Sequence, residues 1–260
     1  MVPPIAELGP DLLRVRAWRR VVSLSAPFAL TALFFLFAAR GIWLAALGCT
    51  MLLTFLTYGS ISHDLVHRNL RLPRWLNEAL LAAIELIAFR SGHAYRVVHL
   101  HHHAHFPAAD DLEGAAAAMP WWRALIDGLT LQPRLWLFAL RRSPQQRRWV
   151  WAEGVAVLVL LAVCLTASRA TAVYAFLMIG GSWIFPFMTS YIPHDARGAD
   201  DLHQTRLFRG RVLSVVALEH LYHLEHHLYP QVPHHNWPEL ARRLDPHFER
   251  AGLRPIRLLV

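Results

Sequence analysis

Four apolar runs constrain this chain more than any other feature. Residues ~22–39 and ~42–61 form one pair and ~149–167 and ~171–191 a second, each approaching the ~20 apolar residues that carry a helix across a bilayer. Arg40 and Gly41 join the first pair, and Ser168, Arg169 and Ala170 join the second, connections short enough only for reversal. The expected fold class is an all-α integral membrane protein with four transmembrane helices in two hairpins. Composition agrees: 55% of residues are hydrophobic and only 17% charged, unlike an ordinary soluble domain.

The formal net charge is +8, and all 26 basic residues are arginine. A basic excess suits nucleic acid or an anionic membrane surface, and the apolar runs decide for the membrane, with no nucleic-acid partner. Arginine placement gives the orientation. The N-terminal segment 1–21 holds Arg14, Arg16, Arg19 and Arg20, residues 62–148 hold eleven arginines, and the two short turns hold only Arg40 and Arg169. By the positive-inside bias the N-terminus, 62–148 and 192–260 are cytoplasmic, which fits a multi-pass protein of a bacterial inner membrane. Pro3, Pro4, Pro10 and the arginine cluster precede the first apolar run, so no cleavable signal peptide is expected. Cys49 and Cys164 lie far apart inside apolar runs and read as small buried hydrophobes. Two shorter segments, ~76–89 with Glu78 and Glu85 and ~119–140 with Trp121, Trp122 and Trp136, are expected at headgroup level. Trp43, Trp149, Trp151 and Trp183 fall near span ends, as in an aromatic belt.

Seventeen histidines punctuate this frame, and most fall in three boxes: H-D-L-V-H from His63, H-L-H-H-H-A-H from His99, and H-L-Y-H-L-E-H-H from His220. His63 and His67 are four apart just after the second run. His99, His102 and His103 make H-x-x-H-H, and His223, His226 and His227 repeat it, with His194 following the fourth run. Imidazole suits iron, zinc, copper and nickel, and spacings of three and four share a helix face, so each box can aim two or three rings at one point. Eight or nine imidazoles exceed the four ligands of one tetrahedral zinc, which suggests two ions. Two irons with four or five nitrogens each would keep positions for water or oxygen. Asp64, between His63 and His67, is expected to accept a ring N–H, and Glu225 and Asp195 beside the other histidines are candidates for the same role. His101 and His105 lie at other angles of the second box, and His220 shares a face with His223. His93, His203, His234, His235 and His247 read as loop or cap residues.

The order H-D-x-x-H, H-x-x-H-H, a solitary histidine, then H-L-E-H-H-L-Y-P resembles the membrane fatty acid desaturase-like superfamily over residues ~20–240. That superfamily also includes acyl hydroxylases and the bacterial carotenoid ketolases and hydroxylases. The resemblance implies a mushroom of four transmembrane helices under a cytoplasmic helical cap, a single domain over 1–260, and a histidine-ligated, non-haem di-iron site. Matched by motif, the metal ligands are His63, His67, His99, His102, His103, His223, His226 and His227, with His194 as the ninth. It further implies two Fe2+ ions, O2 as co-substrate, a lipid substrate, and electrons from a separate ferredoxin or cytochrome b5-type donor. No G-x-G-x-x-G fingerprint is found in the chain. Arg141, Arg142, Arg147, Arg148, Arg206, Arg209 and Arg211 either anchor the cap on the membrane surface, the reading slightly favoured, or offer an acidic donor a landing surface. Desaturation or hydroxylation of a fatty acyl chain is the leading expectation. The compact length and the Y-I-P-H around His194 also resemble the carotenoid ketolases and hydroxylases. A histidine-rich metal transporter is the remote alternative, disfavoured because the apolar runs carry almost no ionisable residues.

Overall fold

The computed structural model describes residues 2–210 and 221–258. Its regular elements are helices, apart from a two-residue parallel pairing of Phe208–Arg209 with Ile256–Arg257. After short helical turns at Ile5–Leu8 and Pro10–Leu13, α1 runs Ala17–Ala39 and α2 Trp43–Leu56. A π-helical turn, Thr57–Ile61, carries α2 directly into α3, Ser62–His67. Then follow α4 (Arg74–Ile87), α5 (Gly92–His105), α6 (Trp121–Arg142), α7 (Arg147–Ala167) and α8 (Arg169–Ser182). A second π-helical turn at Pro186–Tyr191 extends α8, and α9 (His223–Leu228) and α10 (Trp237–Arg250) close the chain.

Among the described residues four helices are long and apolar enough to cross a membrane: Pro10–Ala39, Trp43–His67, Arg147–Ala167 and Arg169–Tyr191. α1 packs along α2 and α7 along α8, and α2 and α8 pack on each other. Phe34, Ala46, Cys49, Leu53, Cys164, Ala175 and Met178 form the core between them. The outward faces are as apolar as the core: Leu44 is 82% exposed, Phe176 70% and Leu158 67%. A soluble fold could not leave so continuous an apolar surface in water, whereas lipid accepts it. Local signals set the helix ends. Ser168 and Thr171 exchange side-chain and backbone hydrogen bonds in a capping box that starts α8. Ser91 accepts from Ala94 N–H at 3.1 Å and starts α5. Arg68, at φ 59°, stops α3 directly after His67.

α4 is held against the rest of the molecule through its carboxylates. Glu85 and Arg90 are both buried and pair at 2.7 Å, with Thr57 accepting from the same guanidinium at 2.6 Å. Glu78 accepts from Arg96, from Arg68 at 3.1 Å and from His93 at 2.9 Å. Buried carboxylates persist when paired in this way, and removing one partner of a buried pair costs about 3–5 kcal/mol. α6 does run as an amphipathic helix, with Trp121, Trp122, Leu125, Ile126 and Leu129 exposed and Ala124, Gly128, Leu131 and Leu135 buried. Gly128 faces the Trp183 carbonyl so closely that a Cβ would lie 1.7 Å from its oxygen, which brings α6 against the end of the fourth span. Beneath the histidines, Tyr58, Ile61, Leu65, Leu81, Ile84, Tyr95 and Val98 form a second core. A third unites Leu8 and Leu12 with Phe208, Leu224, Trp237, Leu240 and Phe248.

Candidate metal centre

The histidine boxes come from four elements that the span ends bring together. α3 carries His63 and His67; α5 carries His99, His102 and His103; His194 follows the second π-helical turn; α9 carries His223, His226 and His227. These nine side chains fall into two groups. His63, His67, His99, His103 and His226 form one, His102, His194, His223 and His227 the other, and within each group the candidate ligand atoms lie within 4.8 Å of one another. The boxes therefore do not each address one point. Helical geometry gives the reason, since four residues return to within about 40° of the starting direction while three fall about 60° short on the other side. In α5 the i,i+4 pair His99 and His103 faces the first group and His102 the second. α9 reverses this, sending His223 and His227 to the second group and His226 to the first. The rings of His103 and His227 stack at 4.4 Å where the groups meet.

What stands behind the rings fixes their tautomers. His99 Nδ1–H donates to Glu113 at 3.0 Å, His102 Nδ1–H to Asp111 at 2.7 Å, and His194 Nδ1–H to the Ser190 carbonyl at 3.1 Å. A neutral imidazole has one donor and one acceptor nitrogen, so Nε2 of each of these rings presents a lone pair. Yet Nε2 of His102 lies 3.1 Å from Nε2 of His194, and Nε2 of His99 lies 3.1 Å from those of His67 and His103. Two lone pairs cannot hydrogen-bond each other. Such a convergence is suited to a cation between the rings, and about 3 Å is the separation of two nitrogens at right angles around an ion about 2.1 Å from each. Burial, followed by the mutual repulsion of neighbouring rings, holds His103, His194, His226 and His227 well below the usual imidazole value, so they stay neutral. His102 differs. Burial pulls it down, but the Asp111 hydrogen bond and the charges of Glu113 and Asp111 outweigh this and leave it raised. The donor set thus fits two metal ions that accept imidazole.

A narrow slot reaches the first group, lined by Tyr58, Gly59, Tyr95, Thr189 and Trp237 together with His63, His99, His223 and His226. Tyr58 O–H donates to Glu113 at 3.2 Å, linking the slot wall to the carboxylate behind His99.

Several sequence expectations need correction. Asp64 accepts from His234, at 2.7 Å to the ring and 3.1 Å to the backbone N–H, and not from one of the nine rings, because the 230–236 segment packs over α3. Glu225 points away from the rings to Arg209, N···O 2.6 Å, and burial pushes its carboxyl up to about 7 against the pull of that guanidinium. Asp195 caps a surface turn, accepting from Arg197 N–H at 3.0 Å. The carboxylates that do hold ring protons, Asp111 and Glu113, went unassigned; the acidic run D-D-L-E, soon after the second box, was the available signal. His93 lies in the first turn of α5, fully buried, with Nδ1 2.6 Å from Glu153 and Nε2 2.9 Å from Glu78. His234 is buried against Asp64, and His235 lies 2.7 Å from the Ser23 hydroxyl. His203 sits in an exposed loop beside Asp200, and His247 on the exposed face of α10 beside Arg250. His101 and His105 stack on each other at 3.9 Å, outside both groups. Arg206 donates to the Tyr191 and Ile192 carbonyls, so it and Arg209 are engaged internally. His220 and Arg211 lie outside the described residues.

Comparison with known families supplies the class. The family model described as Fatty acid desaturase matches residues 41–257, and the chain belongs to that family. It is accordingly a lipid oxidoreductase associated with the membrane. No curated protein matches the chain.

Proposed function

We propose that each histidine group holds one Fe2+ ion and that the protein is an O2-dependent enzyme that desaturates or hydroxylates a fatty acyl chain. His63, His67, His99, His103 and His226 would hold one iron, and His102, His194, His223 and His227 the other. The convergence of Nε2 lone pairs whose Nδ1 protons are already committed carries this reading. When bound, such irons supply the activation of O2 and the removal of a hydrogen atom from an unactivated C–H bond. The protein's own contribution is orientation and dryness. Glu113 and Asp111 keep the protons of His99 and His102 on Nδ1, while Leu53, Tyr95 and Trp237 are among the buried groups that exclude water around the slot and the adjoining spans.

The substrate reading rests on a second cavity, about 370 Å³, between the second and fourth spans. Its wall is apolar, with Leu47, Met51, Phe176 and Leu177, and it ends at Thr189, which also lines the histidine slot. A hydrocarbon chain entering sideways from the bilayer would thus be led toward the first group. Arginine bias supports an orientation in which two hairpins dip outward and return, leaving 62–148 and 192–260 as a cytoplasmic cap in a bacterial inner membrane. The family match across 41–257 supports one domain over 1–260. Electrons would come from a separate ferredoxin or cytochrome b5-type protein, for which Arg141 and Arg148 remain exposed.

The test is expression in a carotenoid-producing bacterial host with fatty acids and pigments both profiled, beside a His226→Ala strain. A new unsaturated or hydroxylated acyl product that requires oxygen and disappears in the variant is expected. A new pigment with unchanged acyl chains would move the assignment to carotenoid ketolation or hydroxylation.

A further inference from the structure

A separate cavity of about 500 Å³ opens at the start of α1, lined by Asp11, Arg14, Arg16, Arg19, His235 and Asn236. Its charge balance is one-sided. Arg243 takes both oxygens of the Asp11 carboxylate, at 2.9 and 2.7 Å, and among the described residues no ion pair engages Arg14, Arg16 or Arg19. The walls are fastened in place: the Asn236 amide donates to the Leu12 and Arg14 carbonyls at 2.8 Å each, and His235 bonds Ser23 of α1 at 2.7 Å. Three arginines against one carboxylate, itself held by Arg243, leave a net positive concavity that calls for an anionic ligand.

Depth identifies that ligand. Trp18, 59% exposed, carries the Arg19 guanidinium over its ring at 5.4 Å, and exposed Val21 and Val22 follow one turn further along α1. Tryptophan between basic and apolar positions marks the membrane–water interface, so the cavity opens where lipid phosphates lie. We propose that it binds the phosphate of a membrane phospholipid, with Arg14 and Arg19 gripping the phosphate oxygens. This rests on the bilayer orientation given above and not on the identity of the metal. The cavity wall also connects to the centre, since His235 packs on His234 at 3.9 Å and His234 holds Asp64, next to His63. A seated phospholipid would therefore set the depth of α3 relative to the headgroup plane.

The experiment uses the full chain purified in detergent, with dioleoyl phosphatidylglycerol retention counted by native mass spectrometry and metal content measured on the same samples. Retention should fall about five-fold per arginine removed in Arg14→Gln and Arg19→Gln, and stay unchanged in Arg141→Gln/Arg148→Gln. Dioleoylglycerol, with the same chains and no phosphate, should not be retained. Equal competition by inorganic phosphate would make this a free-phosphate site, and equal loss in the Arg141/Arg148 variant would reduce it to bulk charge; either overturns the proposal. So would wild-type protein that keeps its metal but retains no phospholipid, a result that leaves the metal reading standing.

Discussion

The two histidine groups use one kind of ligand and differ in what lies behind it. In the four-membered group His102 is backed by Asp111 and His194 by a backbone carbonyl. In the five-membered group His99 is backed by Glu113, while Nδ1 of His63 and of His226 has no hydrogen-bond partner among the described residues. The slot with its aromatic wall opens beside the five-membered group. If each group holds an ion as proposed, fewer ligands more firmly oriented, against more ligands more loosely backed, should make the two unequal: one held in place, the other closer to the substrate.

The largest effect expected to sharpen this contrast comes from deleting ligands. On the proposed two-iron reading, His226→Ala and His102→Ala should each drop bound iron from two equivalents toward about one and lower turnover by more than about 100-fold, with membrane insertion intact. Iron analysis and oxygen uptake on purified protein measure this, and full activity in either variant removes that residue from the ligand set. Next come the carboxylates. Asp111→Asn and Glu113→Gln should weaken metal affinity by about 10–100-fold, read by chelator competition. If both act on the same ion, the division into two groups is wrong.

Acidification should separate the groups by a third route. His102 already carries its Nδ1 proton, so a further proton must go to Nε2, the atom aimed at the ion, and its raised pKa lets that happen as pH falls through a value above 6.5. His103 and His226, lowered by burial, resist protonation to more acidic pH. Chelator-assisted release between pH 8 and 6 should empty the four-membered group first, and the reverse order would break the comparison. The smallest effect belongs to His101→Ala and His105→Ala, outside both groups. Each should retain the iron and shift stability by about 0.5 kcal/mol or less, as measured by thermal unfolding.

The four spans and the nine histidines were legible because each rests on a short-range regularity: run length for the spans, and spacing for the rings. The division of the second and third boxes was less so, because it depends on two helices approaching α3 from different sides. Asp111 and Glu113 reach back to α5 only through the turn at 106–113, which no periodicity encodes. The burial of Glu78, Glu85 and His93 was not legible for a related reason: whether a charged residue is drawn inward depends on its partner, and here the partners Arg96, Arg90 and Glu153 lie on other turns or other helices.

The π-helical turns at Thr57–Ile61 and Pro186–Tyr191 have a consequence for anyone who would transplant this centre. Each takes up one residue more than an α-helical turn, immediately before His63 and before His194. Histidine spacing copied faithfully onto two regular helices of a designed bundle would leave the rings beyond each turn rotated by about 100° from their targets. The portable unit is the box together with the irregular turn before it, and removing one residue from that turn should disarm the site as completely as removing the histidines.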